Sequence, residues 1–145
     1  MFTPLKPERR QLEKRLLAHF FPKFRLHQNT AIGTLQTNSH SLYYVAVDLR
    51  LFPLQEPVVK VVSPRLRDAF GDLLIDRPSS MRMHHLGPDE HGSLKLCLHV
   101  PGDHDPRDTL YKSILKARIW LEAYEAHLRT GDPIDELLNH GNIEP

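Results

Sequence analysis

Cys97 is the only cysteine among 145 residues, and it follows the apolar, strand-like run Gly92-Ser93-Leu94-Lys95-Leu96. A single thiol closes no internal disulfide and builds no multi-cysteine zinc knot. What remains is core filler, a lone metal ligand or a nucleophile. Five of the ten histidines, His84, His85, His91, His99 and His104, lie within thirteen residues of it. Imidazoles so close in sequence can position a thiol, deprotonate an attacking group or donate to a developing oxyanion. In an alternating strand residue 99 shares a side with residue 97, which gives His99 a claim beside His84 and His85. Asp103 and Asp105 follow the cysteine closely, and Asp105 also reads as a helix cap.

The elements that must hold this cysteine are readable in outline. Leu12, Leu16, Leu17, Phe20 and Phe21 recur at helical spacing, so a helix is expected over roughly 5–20, ended by Pro22. Extended runs follow at Phe24–Gln28, Ile32–Thr37, Leu42–Arg50 and Val58–Val62, separated by turn-forming clusters such as Asn38-Ser39-His40. They predict a four-stranded antiparallel meander. From Ser63 to Ser93, prolines and glycines break the pattern, and this mostly irregular crossing is expected to carry function. Beyond the cysteine, Asp105-Pro106 reads as a helix start, and the helix is expected to run to about Arg129 and stop at Gly131. Trp120 and Tyr124 within it read as core, as do Phe20 and Phe21. Asp132-Pro133 begins a last short helix through Leu138. The fold class is α+β, one domain over residues 1–145, a sheet packed against helices.

Composition narrows the function. Hydrophobic residues make up 40% and charged ones 26%, a globular balance, and the net charge of +1 is too small for phosphate-backbone binding. No nucleic acid partner is expected. No apolar run reaches a membrane span, and the start Met1–Lys6 lacks a signal-peptide core, so a cytoplasmic chain with a reduced thiol is expected. Arg9, Arg10, Lys14 and Arg15 cluster on the first helix, either as a solvated face or as a docking face for an acidic protein.

The element order, with one cysteine between the irregular crossing and a helix, resembles the ubiquitin-conjugating enzyme family. Leu94-Lys95-Leu96-Cys97-Leu98 matches the Cys-Leu end of that family's active-site signature, with Gly92 slightly farther back. Glu56-Pro57-Val58-Val59-Lys60-Val61 and Ser63-Pro64 resemble its proline-rich fourth strand, and His104-Asp105-Pro106 takes the place of its Trp-Ser-Pro step. The chain is more similar to the prokaryotic branch found in CBASS antiviral defence operons, through Leu96-Cys97-Leu98, Val100-Pro101, Trp120-Leu121-Glu122-Ala123-Tyr124-Glu125 and Thr130-Gly131. The closing His140-Gly141 is similar to that branch's histidine-containing tail. The family's His-Pro-Asn step has no copy; Met83-His84-His85-Leu86 holds roughly its place, so a histidine or the backbone would meet the oxyanion.

The resemblance implies a conjugating-enzyme-like fold and a transferase with Cys97 as catalytic nucleophile and His84, His85 and His99 as candidate assistants. It would carry the C-terminal acyl group of a ubiquitin-like protein or a cGAS-like nucleotidyltransferase as a thioester and pass it to an amine of an acceptor protein. An activating enzyme is the implied donor, and no cofactor is needed. A thiol suits this, because thioester exchange between sulfurs is near thermoneutral and leaves the site only to orient the carbonyl and stabilise the oxyanion. Two alternatives stand beside it. One is an inert scaffold of the same fold that binds a partner; the other is a zinc site from His84, His91, Cys97 and His99.

Overall fold

The computed structural model describes residues 5–76, 83, 85–98 and 104–139. The chain is α+β: helix α1 (Pro7–Phe20), strands β1 (Arg25–His27), β2 (Thr30–Gln36), β3 (Leu42–Asp48) and β4 (Val58–Ser63), then β5 (His85–Pro88) and β6 (Leu94–Leu96). Helices α2 (Leu110–Thr130) and α3 (Ile134–Asn139) follow. The four expected strands all form, but they are joined by two more. The sheet has six strands in the order β1-β2-β3-β4-β6-β5, and every paired neighbour is antiparallel.

Of the two added strands, β5 lies at the end of the stretch expected to be irregular, and β6 lies in the strand-like run just after it. Each is only three or four residues long, too short to reveal its partner in the sheet. Their partner β4 supplies what local pattern lacks, through the pairs Lys60↔Lys95 and Val61↔Leu94.

Alternation puts one face of the sheet into the core. Ala31 and Leu35 of β2, Tyr43, Val45 and Val47 of β3, Val59 and Val61 of β4, and Leu94 and Leu96 of β6 are all buried on that side. Leu110, Ile114, Ala117, Trp120, Leu121 and Tyr124 of α2 are buried in the same cluster. Trp120 and Tyr124 stack at 5.8 Å between centroids, inside the core as expected. Phe20 departs from its expected core role, remaining 47% exposed and lying on Tyr111 instead.

Helix α1 buries little apolar surface, with Leu17 its one buried hydrophobe, and is fixed by polar contacts instead. The fully buried Glu13 accepts from the Leu110 N–H at 2.9 Å, so a side chain of α1 satisfies an open donor at the start of α2. Arg9 ion-pairs with Glu13 at 2.7 Å and donates to the carbonyls of Pro106 and Asp108. Of the basic cluster on α1, Arg9 is therefore turned inward, whereas Lys14 and Arg15 remain exposed.

The start of α2 also differs from expectation. Thr109 caps it by accepting from the Lys112 N–H at 3.3 Å, while Asp105 holds a separate turn through the Arg107 N–H at 2.8 Å. Asp105 and Pro106 resemble a cap signature, but the chain makes one more turn before the helix begins. The far end follows the sequence: Gly131 adopts φ +80°, the left-handed conformation that closes helices and that side chains disfavour.

The Trp-Leu-x-x-Tyr-Glu segment of α2 acts as a staple. Glu125 is buried, and its carboxylate accepts from the hydroxyls of Tyr43 at 2.6 Å, Thr37 at 2.8 Å and Ser39 at 2.7 Å. Glu122 accepts from the Asn38 N–H at 2.7 Å, and the Tyr124 hydroxyl donates to the Arg67 carbonyl at 2.7 Å. Burial pushes the Glu125 carboxyl up, but the hydroxyls of Tyr43, Ser39 and Thr37 outweigh it, so its pKa lies below the ordinary value. Among the described residues, no helix is long and apolar enough to cross a membrane.

Candidate active site

Cys97 stands directly after β6, and what positions it is the hairpin formed by β5 and β6. Leu94 and Leu96 anchor β6 by inserting into the core, and His85 pairs with Leu96 across the hairpin. Exposure alternates along residues 94–97, buried at 94 and 96 and half-buried at 95 and 97. Cys97 thus continues the outward side of the strand, and its residue surface is partly open to solvent. Leu98 then packs against the core.

Asp89 shapes the turn of this hairpin. Its Oδ1 accepts from the backbone N–H groups of His91 and Ser93, both at 2.8 Å, and its Oδ2 meets the Lys60 Nζ at 2.7 Å. Gly92 completes the turn at φ +83°. Burial acts to raise the Asp89 pKa, but the Lys60 ammonium and the two N–H donors prevail and hold it down to about 2. A lysine of β4 therefore locks the tip of the hairpin that ends in the cysteine.

Downstream the chain is fixed again at His104. Its Nδ1 lies 2.7 Å from Glu56 Oε2 and its Nε2 2.6 Å from the Pro53 carbonyl, while Ser113 donates to Glu56 Oε1 at 2.7 Å. His104 belongs to this joint between the β3–β4 loop and the approach to α2. Cys97 is thus carried between two anchored points, β6 and His104.

His85 is 1% exposed and lies on the core side of β5. Its Nδ1 accepts from the Gly87 N–H at 3.0 Å, which leaves the proton on Nε2. Among the described residues, that N–H has no hydrogen-bond partner. Burial pushes the pKa of the ring down. With its lone pair engaged, the neutral ring is a hydrogen-bond donor and not a base. Of the two roles expected for His84 and His85, His85 retains only hydrogen-bond donation, and its ring lies on the side of the hairpin opposite Cys97.

His84 and His99 lie outside the described residues. Asp103 does too. Of the four residues named for zinc, only His91 and Cys97 are described, and His91 is exposed, 3.8 Å from Glu90. Among the described residues no group of three or more potential metal ligands comes together.

Two residues that shape the site escape a local reading: Asp89 and Lys60. Asp89 precedes Gly92 at turn spacing, a usable signal, but its pairing with Lys60 spans 29 positions.

A groove of about 510 Å³ opens elsewhere, between the start of α1, the β3–β4 loop and the segment before α2. Leu5, Phe52, Leu54 and Pro106 supply apolar wall, Arg9 and Arg107 supply charge, and no described lining residue is acidic. Cys97 does not line it.

No family model, characterised protein or solved structure matches this chain.

Proposed function

We propose that the chain is a ubiquitin-conjugating-enzyme-like acyl carrier, with Cys97 as the nucleophile. The observation that carries the reading is the placement of a half-buried cysteine just after β6, between the locked hairpin and the His104 joint. A carrier needs such a thiol: reachable by a partner's acyl tail, yet fixed enough that the carbonyl meets it in one geometry. The helix, meander, hairpin, cysteine and helix order agrees with the conjugating-enzyme resemblance, and the finer assignment to that fold is part of this proposal.

The carried group is the C-terminal acyl group of a ubiquitin-like protein or a cGAS-like nucleotidyltransferase, delivered by an activating enzyme in a bacterial antiviral setting. The Cys97 sulfur attacks the donor thioester, the donor's sulfur leaves, and an amine later displaces Cys97 to form an amide. The His85 Nε2–H would donate to the oxyanion only if the ring turned from the core toward the cysteine. The exposed Lys14 and Arg15 of α1 and the acid-free groove at its start offer a separate surface for an activating protein.

The test is incubation with the neighbouring activating enzyme, the candidate acyl donor and ATP, resolved on non-reducing gels. A thiol-sensitive adduct is expected on the wild type, a thiol-resistant ester in Cys97→Ser, and none in Cys97→Ala. Absence of any adduct in all combinations rejects the carrier and leaves the partner-binding scaffold.

A further inference from the structure

Among the described residues, His85 alone keeps a buried side-chain polar atom without a hydrogen-bond partner. The ring is 1% exposed, and the surroundings of both nitrogens suit only its neutral form. Nδ1 accepts from the Gly87 N–H at 3.0 Å, so a proton added there would set donor against donor. The Nε2–H already lacks an acceptor, so the added charge would be buried with neither nitrogen paired.

No described group stands ready to balance that charge. Strand β6 offers Lys95, which lies opposite Lys60 on the outer face of the sheet, since the next pair, Val61↔Leu94, is buried. The short 3-10 turn Leu74–Asp76, also packed against β5, offers Asp76, which is exposed. In the hairpin turn Asp89 is engaged by Lys60 and two backbone donors, and Glu90 and His91 are exposed. The buried carboxylates are held elsewhere: Glu13 by Leu110 and Arg9, Asp68 by the Phe70 and Asp72 N–H groups, Glu125 by three hydroxyls. His127, also buried, is engaged at both nitrogens by Ala69 and Asp132.

The strand that carries His85 is weakly tied. It is the last strand of the sheet and pairs with β6 at His85↔Leu96 and Pro88↔Leu94, with an irregularity between them. Pro88 has no N–H to give, and Gly87 gives its own to the ring. A charged His85 therefore reaches water by the lifting of a four-residue edge, a local opening that leaves the core behind it closed.

We propose that β5 is a pH-sensitive flap. Protonation of His85 releases it from β6 while the rest of the sheet stays folded, and this uncovers the edge of β6 that leads into Cys97. The proton enters on Nδ1 from solvent, the Gly87 N–H turns to water, and deprotonation lets the strand dock again. The flap does not depend on the carrier reading, because it rests on the ring and the strand edge alone.

The experiment is amide hydrogen exchange of the full-length protein at pH 7 and pH 5, read by mass spectrometry with labelling times scaled to the intrinsic exchange rates. Peptides covering 85–96 are compared with peptides covering β2 and β3, in wild type, His85→Leu and His85→Gln. With an ordinary histidine value of about 6.5 in the open form, linkage limits the gain in opening between the two pH values to about twenty-five-fold. In wild type, 85–96 should lose about fivefold to twenty-five-fold of its protection at pH 5, with β2 and β3 unchanged. In both variants the protection of 85–96, whatever its level, should be the same at the two pH values. The flap is overturned if 85–96 of wild type loses less than about fivefold, if β2 and β3 lose as much, or if a folded variant keeps the wild-type loss. Should neither variant fold, the wild-type comparison of 85–96 with β2 and β3 decides alone.

Discussion

Replacing Asp89 by Asn tests whether the hairpin before Cys97 is held by charge. The Asn carbonyl can still accept from His91 and Ser93, but its amide now faces the Lys60 ammonium, donor against donor. A carboxyl brought from an ordinary 3.8 down to about 2 on folding contributes roughly 2.5 kcal/mol at neutral pH. Because the folded-state value is the lower one, that contribution is complete above pH 3.8 and is lost as pH falls through about 2. At pH 3 about half of it, roughly 1.3 kcal/mol, should remain. Urea unfolding followed by the fluorescence of the buried Trp120 reads this directly. The gap between wild type and Asp89→Asn should be roughly 2.5 kcal/mol at pH 7 and about half that at pH 3. An equal gap at both values, or one under about 0.5 kcal/mol at pH 7, refutes the charge argument.

Two further outcomes are expected. Glu125→Ala strips three hydroxyls of their acceptor, two of them from buried residues, and should cost about 3–5 kcal/mol. Coupling to Tyr43→Phe in a double-mutant cycle should exceed about 1 kcal/mol, and additive effects would deny the network. The depressed His85 pKa makes the wild type lose stability as pH drops below about 6.5, down to the folded-state value. His85→Leu should remove that part of the slope in melting curves recorded between pH 5 and 8; an unchanged slope would show that the ring is not held neutral.

How far the sequence reveals this molecule depends on the distance over which each element is specified. Helix α1 and strands β1 to β4 carry their pattern in adjacent residues, and their limits lie within a few positions of the expected ones. Strand β5 does not: four residues flanked by glycine and proline look like loop, whereas β6 reads as strand-like but its place in the sheet is set only by its pairing with β4. The same holds for the entry to α2. Asp105-Pro106 has the right residue types, but the donor to be satisfied is the Leu110 N–H, and its acceptor is Glu13, 97 positions away. At the site, the strand-like setting of Cys97 was legible from alternation. The inward turn of His85 was not, since a histidine in a short strand carries no mark of which face it will occupy.

The outer edge of β5 has a consequence for how other chains can approach. Pro88 has no N–H, and the Gly87 N–H is spent on the His85 ring, so half of this four-residue rim has no proton to offer a newcomer. A visiting polypeptide finds fewer donors along this rim than a regular strand edge would offer. It must grip more by its side groups, which keeps the flank beside the thiol from seeding unplanned stacking of one molecule on the next.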